Sequence, residues 1–408
     1  MAQLKTLLAT AAALALVPAL ASAQQAPYEV LNGQVHIGDA ISGLRVEFQS
    51  SHGSTTNNLS VGNTMSARAV EQSMNVDNSQ ILKGRVAATN VVTGGEARGV
   101  TQSAAVAHGN AAQVEGCCGT TDLTSEQIVH DGSTIQAGSA ITVGSADYLV
   151  SGAQATANAF GGYTNHGYSD NAVTQVSGAN VTAYSQVEAC CNNGATTSNA
   201  IAAANSARWS GESATIFANV TQANRGAVAA SSEVREKSAT NVSSGASAGG
   251  NLAEIQNKWG YAQLSGEQDN AGAISSSSEV TLDIFNGFAM SGANSVGNSA
   301  LLSNLGSDVS LFMDQNNRGD ITASASLSAS SATGGVGQVN ASAVGNAMTA
   351  YSCASCGNES VLVEGRSTQY NSGNVTANVS FQGGNMGMIS ASGSAIGNSA
   401  TFVAQRSQ

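Results

Sequence analysis

Apolar and polar positions alternate along this chain with a period of two, and the alternation restarts at regular intervals. It is clearest downstream of a recurring Asn, usually preceded by Gly, at Asn63, Asn110, Asn158, Asn205, Asn251, Asn298, Asn346 and Asn398. Two residues later stand Met65, Ala112, Phe160, Ala207, Ala253, Ala300, Met348 and Ala400, all apolar. Four residues later stand Ala67, Val114, Gly162, Trp209, Ile255, Leu302, Ala350 and Phe402. Residues i, i+2 and i+4 share a face only in an extended chain, so this is a strand pattern with one face buried.

Successive marker Asn residues are 46–48 residues apart, widening to 52 before Asn398. A second marker is a Gln, at Gln34, Gln80, Gln127, Gln175, Gln222, Gln268, Gln315 and Gln369. The step from each Asn to the next Gln is 17 residues in six consecutive repeats and 23 in the last. Chance does not produce that lock. After the Gln the best copies read "QANRGAVAA", "QDNAGAISS", "QNNRGDITA" and "QYNSGNVTA". Gly226, Gly272, Gly319 and Gly373 are expected at turns, where glycine accepts positive φ at little cost. Val228, Ile274, Ile321 and Val375 then open the next alternating strand. The copies at Gln34, Gln127 and Gln175 are degraded.

Each repeat of about 47 residues thus reads as two strand–turn–strand units of roughly 22–25 residues. About sixteen such units, at about 4.8 Å per stacked strand, predict a rod on the order of 77 Å long. The expected fold is all-β: a β-solenoid or cross-β repeat rod in which each coil touches only its neighbours. Asn and Gln at constant phase are expected to stack as hydrogen-bonding ladders along the axis. A β-sandwich array is the competing architecture, but the units lack its usual aromatic core residues.

The first 23 residues read as a signal peptide, with Lys5, the apolar "TLLATAAALALVPAL" and the small-residue site Ala21-Ser22-Ala23. Residues 24–408 are expected to be a single repetitive domain of about eight repeats. Composition supports long continuous sheets. There are 2 Pro in the chain, and none follows Pro27. A sheet needs its backbone N–H groups, whereas disordered Ser/Gly-rich chains usually retain Pro and carry more charge. Net charge is −12 with no basic run, which argues against nucleic acid as a partner.

The candidate chemistry is sparse. Six cysteines fall in three local pairs, Cys117-Cys118, Cys190-Cys191 and Cys353/Cys356. Their even number in an exported chain predicts disulfides, either local staples between nearby loops or links between molecules. All three pairs are expected at similar loop phases. A zinc site would need better-spaced His partners than His36, His52, His108, His130 and His166 provide. No cofactor site is expected. A β-helix enzyme acting on polysaccharide would need clustered carboxylates in a groove, and none is expected here. The segment "HGYSDN", 166–171, reads as a loop. The tripeptide Arg318-Gly319-Asp320 looks like a cell-adhesion ligand. In register with the other copies, however, only its Gly is constant, so it reads as a turn with solvated flanks.

At "VGNSALL", "IGNSATFV" and the Gln-x-Asn-x-Gly turns the chain resembles the curlin repeat, which builds amyloid cross-β coils from Gln, Gly, Asn and Ala at fixed spacing. It departs from curlin subunits in its length, its cysteines and its doubled period. As a long, exported, cysteine-bearing chain of this kind it is similar to the holdfast attachment protein D family of stalked bacteria. The resemblance implies a secreted protein, at the cell surface or associated with the outer membrane, that anchors an adhesive exopolysaccharide and self-associates. It further implies two partners, a small curlin-like protein and an outer-membrane pore-type lipoprotein. The alternative is a curli-like fibre or matrix subunit.

Overall fold

The computed structural model describes residues 27–332, 334–354 and 360–405. The expected signal peptide and Cys356 lie outside the described residues. Those described form strands joined by short turns, all in parallel sheets, without a helix among them. Two kinds of strand alternate. Short ones, such as Thr215–Asn224 and Ala262–Asn270, stack in sequence order into an eight-stranded sheet. Long ones, such as Asn180–Glu212, Val228–Lys258 and Ile274–Leu305, form the second sheet.

Each strand pairs with the equivalent strand one marker distance away. Gln222 is paired with Gln175 on one side and Gln268 on the other, while Asn251 is paired with Asn205 and Asn298. One circuit of the backbone therefore consumes a whole repeat, and the half-repeat units do not stack on one another as the sequence suggested. The reason lies in the long strand. Near its middle the register slips, between Ala239 and Asn241 in Val228–Lys258, and the strand divides there into two arms. The arms face each other, because Ser232 and Ser244, only 12 residues apart, are hydrogen-bonded through their hydroxyls.

Two cores result. One lies between the arms and contains Ile135, Ile141, Leu149, Val187, Leu282 and Phe285. The other lies between the short strands and the distal part of the second arm, with Met74, Leu123, Trp209, Ile216, Leu264 and Leu302. The marker Asn stands where one gives way to the other: Ala107 belongs to the first core and Ala112 to the second, on either side of Asn110. Alternation breaks at this point, since Gly109 and Asn110 are both buried. A Cβ on Gly109 would come 2.5 Å from the Ala157 carbonyl oxygen, which explains the small residue before the marker.

Two turns complete the circuit, and they use different chemistry. The turn from long to short strand contains a left-handed residue in successive circuits: Glu71, Cys118, His166, Ser213, Trp259 and Gly306. The turn from short to long strand contains Gly226, Gly272, Gly319 and Gly373. None of these four is in the left-handed region, contrary to expectation. Glycine is needed there because the turns stack directly. A Cβ on Gly272 would lie 1.9 Å from the Gly226 carbonyl oxygen, and one on Gly319 2.0 Å from that of Gly272.

Candidate functional site

The interior of the sheets is organised by columns of identical polar side chains. All eight marker Asn residues are in register, and each Nδ2 donates to the Oδ1 of the next marker toward the C-terminus. The bonds run from 2.8 Å for Asn63 to Asn110 to 2.7 Å for Asn346 to Asn398. The marker Gln column runs the opposite way. Gln369 donates to Gln315 at 2.8 Å, and so on down to Gln80, which donates to Gln34 at 3.1 Å.

The two columns also hold the layers together. Asn251 donates to the Asp269 carbonyl at 2.8 Å, immediately after Gln268. Gln268 in turn donates to the Ser299 carbonyl at 2.9 Å, immediately after Asn298. A buried amide costs free energy unless its hydrogen-bonding groups are matched, and here the repeat supplies a partner on each side.

The second Asn of the Gln-x-Asn-x-Gly turns, to which the sequence assigned no role, forms another column. Asn224 donates to Asn270 at 2.8 Å, Asn270 to Asn317 at 2.7 Å and Asn317 to Asn371 at 2.7 Å. Each also donates to the carbonyl of the Gly two residues on, as in Asn270 to Gly272 at 3.0 Å. This bond sets the turn whose stacking excludes a Cβ.

A fourth column was not visible in the sequence. Nine buried Ser residues zigzag between the two arms as one hydroxyl chain: 103, 139, 151, 185, 198, 232, 244, 278 and 291. Ser is too common in this chain for two positions per circuit to stand out. Their partners lie across the core at separations set by tertiary structure.

The cysteines do not share one phase. Cys117 and Cys353 occupy the same column at the end of the long strand, five circuits apart. Cys190 and Cys191 lie beside the register slip at the other edge, where Cys191 is paired with Ser145 and Ser238. The Cys117 and Cys118 sulfurs are in contact, and the Cys190 and Cys191 sulfurs are 3.0 Å apart. His166 occupies the left-handed turn, and the rest of "HGYSDN" enters the strand Tyr168–Ser177 from Tyr168 onward.

Arg318 and Asp320 are not idle flanks. The Arg318 guanidinium pairs with Asp269 in the preceding circuit at 2.5 Å. Asp320 Oδ1 accepts from the Asn374 backbone N–H at 2.9 Å in the following one. Asp39 and Asn180 play the same part toward Arg85 and Ala227.

Carboxylate residues contribute to the walls of two shallow depressions, without being clustered by the strand register. One is lined by Glu188, Glu236 and Asp283 with Arg235 and Lys237, the other by Glu29, Asp77 and Asp122. Glu236 stands in a core column otherwise held by residues such as Val143, Ala189 and Leu282. Burial pushes its carboxyl up to about 7, while hydrogen bonds with Thr196 and Asn192 pull the other way. Burial likewise lowers the pKa of His108. Among the described residues no group of three or more His, Cys, Asp or Glu is placed to hold a metal ion.

A family model described as holdfast attachment protein D matches residues 48–320. Neither a curated protein nor a solved structure matches the chain.

Proposed function

This chain belongs to the holdfast attachment protein D family, and on that premise we propose that it is an exported structural anchor holding an adhesive polysaccharide to the cell envelope. The observation that carries the reading is the run of continuous amide columns through a family member built almost wholly of stacked strands. Such a body is a β-solenoid with curlin-like repeats and a period of about 47 residues. Its eight stacked short strands make it roughly 40 Å long, about half the length that half-repeat stacking would give. Each circuit is supported only by its neighbours, so load passes along the axis through backbone and amide hydrogen bonds.

In this reading the protein is exported behind its signal peptide and works at the outer surface as stable multimers. It acts with a small curlin-like partner and an outer-membrane pore-type lipoprotein, and its role is structural, not catalytic. Deleting the gene and following the polysaccharide tests the anchoring role. Shedding of intact polysaccharide into the medium is expected, and polysaccharide that stays firmly on the cell overturns it. A strain carrying Glu236→Gln should keep its polysaccharide attached. Loss of processing of the polysaccharide in that strain would instead favour chemistry at the Glu236 depression.

A further inference from the structure

The columns do not close at the ends of the described body. At the first circuit the strands Tyr28–Ile37, Ala40–Ser51 and Ser54–Val70 pair on one side only. At the last circuit the same holds for Val363–Asn371, Val375–Gly383 and Met388–Gln405. Unpaired parallel edges present a row of backbone donors and acceptors to another chain. Large apolar side chains crowd both edges: Leu31, Ile37 and Leu59 are 81%, 77% and 61% exposed at one, and Met388 and Ile389 are 61% and 51% exposed at the other.

What selects the occupant is the polarity of the columns. Asn63 donates to Asn110, and among the described residues nothing donates to its Oδ1. Asn398, at the far end, accepts from Asn346 and has no further Asn to which it can donate. The Gln column ends in the complementary sense. Gln34 accepts from Gln80 and has no following Gln to receive its Nε2, while among the described residues nothing donates to the Gln369 Oε1. The last circuit therefore offers an Asn donor and a Gln acceptor where the first offers an Asn acceptor and a Gln donor.

Extending the strand register by one circuit sets Asn63 on Asn398 and Gln34 on Gln369 together. The same step sets His36, whose Nε2 is buried without a partner, on Asn371, the end donor of the third amide column. Bulk is matched as well: Phe48 meets Gly383 and Phe402 meets Ala67. Glu29 over Glu364 is a like-charge pair, but both are exposed to screening by salt.

We propose that the first circuit of one copy docks on the last circuit of a second copy of this chain, head to tail, continuing both sheets and the marker Asn and Gln columns without a break in register and setting His36 against the end of the third column. This rests on the self-association reading above and specifies its interface. Because the contact is heterologous, it generates a linear file and not a closed dimer.

Charge swaps on two outward side chains test it. Val35 and Tyr370 are 65% and 62% exposed, and in the proposed contact one lies directly over the other. In sedimentation velocity and negative-stain images of the purified protein, Val35→Lys with Tyr370→Lys should lose the linear multimers. Val35→Lys with Tyr370→Glu should regain them, and Ile201→Lys, on the flank of a central circuit, should leave them unchanged. Circular dichroism and the unfolding midpoint show that each variant remains folded. Multimers indifferent to the end substitutions but lost with Ile201→Lys overturn the head-to-tail interface while leaving self-association standing. A wild-type protein that stays monomeric overturns both, and so does one that associates only when a different polypeptide is added.

Discussion

Asn298 donates its Nδ2 to the Oδ1 of Asn346 at 2.8 Å while its own Oδ1 accepts from Asn251 at 2.8 Å. It also donates to the Asn316 carbonyl at 2.8 Å, so one fully buried side chain joins three circuits and both layers. Replacing it with Leu leaves buried donors and acceptors unmatched on every side. We expect Asn298→Leu to cost on the order of 4 kcal/mol in chemical denaturation. Asn398→Leu, at the exposed end of the same column, should cost well under half as much.

The stacked glycines make a second prediction. Gly272→Ala puts a Cβ 1.9 Å from the Gly226 carbonyl oxygen, and backbone on the neighbouring circuit must move to make room. A loss of about 3 kcal/mol is expected from overpacking of this kind. Gly152→Ala is the control: a Cβ there meets nothing within 4 Å and φ is ordinary. Its unfolding midpoint should shift little, and equal losses for both variants would show that space is not the reason for Gly272.

At the other turn the reverse substitution should help. Ser213 has φ of 52°, in a column whose equivalent position in a later circuit is Gly306. A side chain in the left-handed region is strained by roughly 1 kcal/mol, partly offset by the greater unfolded-state freedom of Gly. Ser213→Gly should raise stability by a few tenths to about 1 kcal/mol, read as a higher unfolding midpoint at unchanged denaturant slope.

Glu236 gives the fold a pH dependence. Its carboxyl is pushed from an ordinary 4.5 to about 7 in the folded protein. Between those values the folded state holds a proton that the unfolded state has released, so stability is full below about 4.5 and declines as pH rises to about 7. The total is on the order of 3 kcal/mol. Glu236→Gln should flatten that part of the stability curve. His108 works in the opposite sense: its lowered pKa means stability present above its ordinary value is lost as pH falls below it. The two contributions separate in the single variants Glu236→Gln and His108→Gln.

The strands, their markers and the excluded proline could be read from local sequence, because period-two alternation and fixed spacing are one-dimensional properties. The positions that form the Asn and Gln columns were legible for the same reason: a residue recurring at one phase returns to one place if the backbone returns there. How far the backbone travels before it returns was decided only by tertiary structure. Alternation says which face a side chain takes but not which strand lies beside it, so whole-repeat and half-repeat circuits look alike until the slip near Ala239 folds the long strand on itself. Opposition of the two arms likewise buries the Ser hydroxyls as a chain. Stacking of one turn on the next, not its dihedral angles, is what restricts Gly272 and Gly319 to glycine, because the atom each would strike belongs to the turn 46 or 47 residues earlier.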